Sequence, residues 1–220
     1  MRIQTSLTAR TTRTSTFLWW CLSCLGCLFL LTACSESDDD AADEFANWQV
    51  RNDAFFATLE DSLSRGGDAW RKIKSFTKNE STTTANTEYI YIKVLEQGSG
   101  TVCPLYTDTA RVSYIGRLIP SANHPQGQVF DQTFEPTYTY SPRTTGVIDN
   151  LVSNFTDGFA TALQHMHIGD RWRVFVPYQL GYGATDRGTV PAYSVMIFDV
   201  TLFDFTSPGQ RLAPWASRQW

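Results

Sequence analysis

Few residues of this chain could do chemistry. Cys21, Cys24 and Cys27 have the spacing of metal ligands, but they lie inside the apolar run "FLWWCLSCLGCLFLL" from Phe17 to Leu31. His165 and His167 are two residues apart in "LQHMHIGD". Two imidazoles alone make a poor metal site, so no metal and no cofactor is expected. Asp131 follows Phe130 in "GQVFDQTF". A carboxylate beside apolar rings is informative, because a bare buried charge is costly; capping a turn is its plainer role. The loop "PYQLGYGATDRGTVPAYS" carries two large rings, Tyr178 and Tyr182, with no cysteine, no histidine and nothing resembling a nucleophile. Tyr114, Phe130, Phe159 and Phe198, taken singly, read as core. Whatever this chain does, its residue types suit binding and orientation better than covalent catalysis.

The start of the chain reads as an address. Arg2, Arg10 and Arg13 precede the apolar run, and small residues follow it before Cys34 in "LTAC". That order is the pattern of an export signal. "LTAC" resembles the bacterial lipobox, in which the signal is cut before the cysteine and the cysteine takes a thioether-linked diacylglycerol. Residues 1–33 are then signal peptide, Cys34 is the lipidation site, and Ser35–Glu44 ("SESDDDAADE") is an acidic tether. The alternative is an uncut signal anchor, for which the run is short: a membrane span needs about 20 residues. The lipobox implies attachment to the cell envelope through a lipid anchor, at the outer membrane, on its periplasmic or surface face.

Removal of the signal leaves Cys103 as the one thiol besides the lipidated Cys34, so no internal disulfide is expected and the core alone must hold the domain. The full chain carries a net charge of −4, and loss of the three signal arginines makes it more acidic. The sequence has no basic stripe, which argues against nucleic acid as a partner.

Periodicity organises the rest. Phe45, Trp48, Asn52, Phe55, Phe56, Leu59 and Leu63 recur every three or four residues, a helical stripe ended by Gly66-Gly67. The stripe is expected to pack on the domain's own body, the alternative being a second copy. A shorter helix is expected over Asp68–Phe76, then a polar linker to residue 87. From residue 88 the rhythm changes to strands. Val112, Tyr114, Gly116 and Leu118 alternate with Arg111, Ser113 and Arg117; Trp172, Val174 and Val176 share one face; so do Met196, Phe198, Val200 and Leu202. Strict alternation argues an antiparallel sheet with one face covered. One segment, "FTDGFATALQHMHIGD", sets Phe155, Phe159, Leu163 and Met166 on a helical stripe, with Gly169 as the stop. The expected class is α+β, an antiparallel sheet wrapped over one central helix and preceded by a small helical segment.

Three ordered motifs add a family. "VSYIGRL…GQVFD" (112–131), "DGFATALQHMHIGDRWRVFVP" (157–177) and "LGYGATDRGTVP…VMIFDVTL" (180–202) together resemble the FKBP-type peptidyl-prolyl isomerases. The resemblance covers residues 88–205, leaving 45–87 as helical segment and linker and 206–220 as a C-terminal tail. It implies a half-open antiparallel sheet curled around one short helix, with a hydrophobic pocket between them. Carried over by position, it implies that Tyr114 and Phe130 form a wall, Asp131 stands at the rim, and Phe155 and Thr156 open the helix with the Thr156 N–H toward the ligand. It also implies that Phe159 is the floor, where the family usually has Trp, that Val190 lies on the flap, that Phe198 closes the far wall and that Tyr182 offers its hydroxyl. Asp131, Tyr182 and Thr156 are then the catalytic set and the others bind substrate. "TFEPTYTYSPRTTGVIDNLVSN" (133–154) fits the family poorly. Tyr138 or Tyr140 could replace a pocket aromatic there, and Arg143 could face Asp131.

The activity so implied is cis-trans isomerisation of X-Pro bonds in exported polypeptides, assisting their folding. Proline-containing chains would be the substrates and macrolides a class of inhibitor. The alternatives are a catalytically weak proline-binding module, or a chaperone whose N-terminal helices hold unfolded clients.

Overall fold

A helical segment comes first among the described residues. The computed structural model describes residues 44–78, 85–133 and 146–215. Helices α1 (Trp48–Ala57) and α2 (Leu59–Arg65) meet at Thr58. Trp48, Asn52, Phe56 and Leu59 are the buried positions. They pack on the domain's own body, as the stripe predicts: Phe56 meets the Tyr91 ring edge-on at 5.2 Å, and Phe55 lies 6.3 Å from the Phe175 ring. Gly67, with φ +58, then turns the chain.

The second helix expected over Asp68–Phe76 is a strand. A 3-10 turn (Gly67–Ala69) leads into β1 (Trp70–Lys74), which pairs antiparallel with β2 (Tyr89–Glu96), Trp70 opposite Lys93. So short a segment gains little from helix formation, because nucleation is costly. As a strand it gains ladder bonds, and Trp70 stacks on Phe175 at 5.5 Å. The sheet therefore begins ahead of the boundary expected at residue 88.

The remaining strands are β3 (Thr109–Arg117), β4 (Val129–Gln132), β5 (Ile148–Leu151), β6 (Arg171–Val176) and β7 (Met196–Thr206). Six of the seven strands run in the order β1-β2-β6-β7-β3-β4, every neighbour antiparallel, and β5 joins off this path. β5 and β4 share one edge of β3: β5 pairs with Thr109–Val112 and β4 with Ile115–Arg117. Helix α3 (Asp157–Leu163) packs on this sheet. Its backbone comes so near β6 that a Cβ on Gly158 would lie 2.4 Å from Val176. Phe159 and Leu163 from α3 join Ile90, Ile92, Trp172, Val174, Met196, Val200 and Leu202 in one buried core. The class is α+β as expected. The helix stops at Leu163, short of Gly169, which instead takes φ +93 in the turn before β6.

The second face of β3 is also covered. Arg111 is 6 % exposed and Ser113 fully buried. Arg111 donates twice to the Asp149 carboxylate, at 2.6 Å each, and once to the Ala213 carbonyl at 2.7 Å. The Trp215 ring lies 5.7 Å from its guanidinium and 4.9 Å from the Phe203 ring. The segment after β7 thus lies against this part of the sheet, and the polar face that the alternation sets opposite the core is buried here as well.

Candidate active site

The site is built where β3, β4, β7 and the N-terminal end of α3 converge. On β3, Gly116 pairs with Asp131 of β4 on one side and with Phe198 of β7 on the other. A Cβ at Gly116 would stand 2.6 Å from the Phe130 ring and 2.9 Å from the Phe198 ring. The missing side chain is what lets those two rings meet edge-on at 5.5 Å. Tyr114, two residues earlier on the same face of β3, is a diagonal neighbour of Asp131. Its hydroxyl donates to Asp131 Oδ2 at 2.5 Å.

α3 brings up the floor. Phe159, 2 % exposed, stacks on Phe155 with centroids 4.6 Å apart, and meets Phe198 at 4.8 Å and Tyr114 at 5.4 Å, both edge-on. These are favourable aromatic geometries. Thr156 precedes α3 in extended conformation; its carbonyl accepts from Ala160 N–H at 2.8 Å. Its hydroxyl is buried, makes no capping bond, and has no partner among the described residues. From the β6–β7 loop comes Tyr182, 40 % exposed, with the Arg187 guanidinium 5.9 Å from its ring.

Together these side chains enclose a cavity of about 340 Å³. Tyr114, Phe130, Asp131, Phe155, Thr156, Phe159, Tyr182 and Phe198 all line it. Val190 does not: it is 3 % exposed, within the core cluster, where its backbone bridges Arg187. Asp131 is exposed rather than buried, so its informative feature is the phenol it engages. Burial, and then the hydrogen bond to Asp131, push the Tyr114 phenol well above its usual range, which keeps it a proton donor.

Three further residues line the cavity that the sequence did not mark: Ile148 and Asn150 of β5, and Asn154. Their one local signal is the short I-D-N-L alternation, which puts Ile148 and Asn150 on one face and Asp149 on the other. Tyr138, Tyr140 and Arg143 lie outside the described residues. The two histidines stand apart from the cavity. His165 Nδ1 is 2.8 Å from the Thr161 carbonyl, and His167 Nδ1 is 3.6 Å from Asp170. Among the described residues no group of three or more His, Cys, Asp or Glu is placed to hold a metal.

An antiparallel sheet, one short helix and an aromatic cavity between them define a class, and comparison with known proteins names it. Residues 101–203 match the family model of the FKBP-type peptidyl-prolyl cis-trans isomerases. The macrophage infectivity potentiator of Trypanosoma cruzi is 38% identical over 120 residues, 53% of this chain and 53% of that protein. The FKBP-type peptidyl-prolyl cis-trans isomerase FkpA of Escherichia coli K12 is 30% identical over 156 residues, 71% of this chain and 52% of that protein. The chain spans about half the length of these relatives. Two solved structures share the fold. The crystal structure of FkpA from Escherichia coli aligns with a TM-score of 0.51 at 19% identity, covering 90% of this chain and 76% of that one. That of a peptidyl-prolyl isomerase from Pseudomonas syringae aligns with a TM-score of 0.50 at 19% identity, covering 79% of this chain and 100% of that one.

Proposed function

We propose that this protein catalyses cis-trans isomerisation of X-Pro bonds in exported polypeptides and so assists their folding. The observation that carries the reading is the convergence of Tyr114, Phe130, Phe155, Phe159 and Phe198 on one cavity rimmed by Asp131 and Tyr182. The X-Pro barrier of about 18–20 kcal/mol is lost amide resonance. The planar amide is the more charge-separated form and is the one water solvates best. An aromatic cavity that strips this water disfavours the planar form relative to the twisted one, which is differential stabilisation of the transition state. Two donors orient the substrate: the Tyr182 hydroxyl and the Thr156 backbone N–H, each toward a substrate carbonyl. Holding the flanking peptide while the imide turns is an orientation effect. No bond breaks, so no nucleophile is needed. A 10⁴-fold acceleration would require about 5–6 kcal/mol from these effects.

The test is a protease-coupled assay on a short X-Pro-Phe peptide. Isomerisation well above the uncatalysed rate at micromolar protein is expected, with a several-fold loss in Tyr182→Phe. A rate equal to buffer sinks the proposal, and peptide binding without acceleration would favour a proline-binding module. Macrolides belong to the same reading: one that fits the cavity competes with the peptide.

The N-terminal sequence supports a lipid-anchored form. Residues 1–33 act as signal peptide, Cys34 carries the acyl chains, and the acidic run to Glu44 spaces the body from an envelope membrane, the outer one. Labelling with an alkyne fatty acid checks this. Label is expected on the wild type and lost in Cys34→Ser; label retained in Cys34→Ser refutes the anchor.

A further inference from the structure

Two buried hydrogen bonds tie α1 to the loop that carries Tyr182. The Trp48 indole N–H donates to Ser194 Oγ at 2.8 Å, and Asn52 Oδ1 accepts from the Val195 backbone N–H at 2.7 Å. Each group is fixed on its own side as well. Asn52 Nδ2 donates to the Trp48 carbonyl at 2.7 Å, and Ser194 Oγ donates to the Pro191 carbonyl at 2.7 Å. Trp48, Asn52, Ser194 and Val195 are all buried, and none of them lines the aromatic cavity.

Beside Ser194, Tyr193 holds φ +62. Side-chain-bearing residues rarely adopt that region, and they persist there where the surroundings over-determine them. The strained residue is the next link. Its N–H donates to the Gly183 carbonyl at 2.9 Å, and its ring meets Tyr178 edge-on at 5.3 Å. The Gly183 N–H in turn donates to the Tyr178 carbonyl at 2.8 Å. Gly183 is the chain neighbour of Tyr182. One short path therefore runs from Trp48 and Asn52, through Ser194–Val195 and Tyr193, to the residue adjoining Tyr182.

We propose that α1 is a positioning element: Trp48 and Asn52 hold the turn at 193–195, and through the Tyr193–Gly183 bond they set where the Tyr182 hydroxyl stands over the cavity. This rests on the reading of Tyr182 as a substrate donor. It makes the helical segment part of the catalytic apparatus without contact to substrate. A packing role alone would not route its two buried polar side chains to this loop, since apolar residues of like size would fill the same space.

The experiment uses the full chain and a double-mutant cycle. Trp48→Phe keeps a ring and removes the indole N–H; Ser194→Ala removes its acceptor from the other side. We measure kcat/KM on the X-Pro peptide for each, for Tyr182→Phe, and for each combined with Tyr182→Phe. The expected loss in Trp48→Phe or Ser194→Ala is no greater than that in Tyr182→Phe, about 2- to 12-fold for one misplaced hydrogen bond. The combined variants lose no more than Tyr182→Phe alone. Losses that multiply, or single variants equal to wild type, overturn the proposal. Amide hydrogen exchange separates this outcome from the activity itself. Amides of residues 182–195 are expected to exchange at least about tenfold faster in both variants, with those of β3 and α3 unchanged. Unchanged exchange in that loop overturns the proposal even if the wild type proves inactive, a result that would sink only the isomerase reading. Should Trp48→Phe lose protection throughout, Ser194→Ala alone decides.

Discussion

Tyr114 donates its phenolic hydrogen to the Asp131 carboxylate at 2.5 Å, diagonally across the β3–β4 pair. The bond fixes the Asp131 carboxyl at the rim of the cavity, beside the rings of Tyr114, Phe130 and Phe198, and it orients both residues before any substrate arrives. A hydrogen bond to a charged group is worth about 1.5–3 kcal/mol when shielded. Asp131 is exposed, so water can replace the phenol and the value falls to about 1 kcal/mol. Tyr114→Phe is therefore expected to lower the urea midpoint modestly with an unchanged slope. A midpoint equal to that of the wild type would mean that the bond orients without stabilising.

Phe159 sets the depth of the cavity. It is wedged among Phe155, Phe198 and Tyr114 at 4.6–5.4 Å, with 2 % of its surface exposed. Phe159→Trp enlarges a packed residue, which costs about 1–3 kcal/mol of stability. It also adds an indole N–H and floor area. Macrolide affinity is expected to rise in the variant while peptide isomerisation changes little. Calorimetry on both proteins checks this; weaker macrolide binding in the variant would show that the larger ring fills the cavity instead of flooring it.

Much of this architecture is legible in the chain because local periodicity and burial coincide. The core face of β6 shows in Trp172, Val174 and Val176 and that of β7 in Met196, Phe198, Val200 and Leu202, although Phe175, Asp199 and Thr201 between them are buried as well, and α3 shows its stripe. The cavity residues Tyr114, Phe130, Asp131, Phe155, Thr156, Phe159, Tyr182 and Phe198 were legible through ordered motifs rather than through any single residue. β1 was not legible. Three of the five residues in "WRKIK" are basic, and the strand is held by partners remote in sequence: Lys72 by Glu60, Lys74 by Glu88 at 3.7 Å, Trp70 by Phe175. Ile148 and Asn150 escaped for the same reason. Their place at the cavity comes from pairing with β3 and from the Arg111–Asp149 ion pair, neither of which leaves a periodic trace. Val190 shows the converse limit, because a motif position carried from a family need not keep its contact.

That ion pair makes the next expectation. Asp149 lies between Ile148 and Asn150 on β5, and the Arg111 fork holds it from the far side of the sheet edge. Arg111 is nearly buried while the Asp149 side chain is 40% exposed, so the cost of breaking the pair falls below the ~3–5 kcal/mol typical of a fully buried one. Arg111→Met keeps the stem and removes the fork. A loss of about 1–2 kcal/mol is expected, together with faster amide exchange in β5 and a raised KM for the X-Pro peptide. Unaltered exchange in β5 would show that ladder bonds to Thr109–Val112 suffice to fix that wall.

Glu60 gives the fold a pH dependence of calculable sign. Its Oε1 accepts from both Lys72 Nζ and the Tyr91 hydroxyl, joining α2 to β1 and β2. The Lys72 bond, and then the Tyr91 bond, hold the carboxyl below its ordinary value of 4.5. A carboxyl depressed in the folded state binds its proton less readily there than in the unfolded chain. Its stabilisation is therefore complete above about pH 4.5 and is lost as the pH falls toward the depressed folded value. Glu60→Gln removes this contribution and leaves the other carboxyls in place. The wild type is expected to be the more stable at pH 7, and the gap between the two proteins should narrow steadily below about pH 4.5. Urea midpoints measured across that range check it; a gap that stays constant to about pH 3 would show that Glu60 contributes through packing and not through its charge.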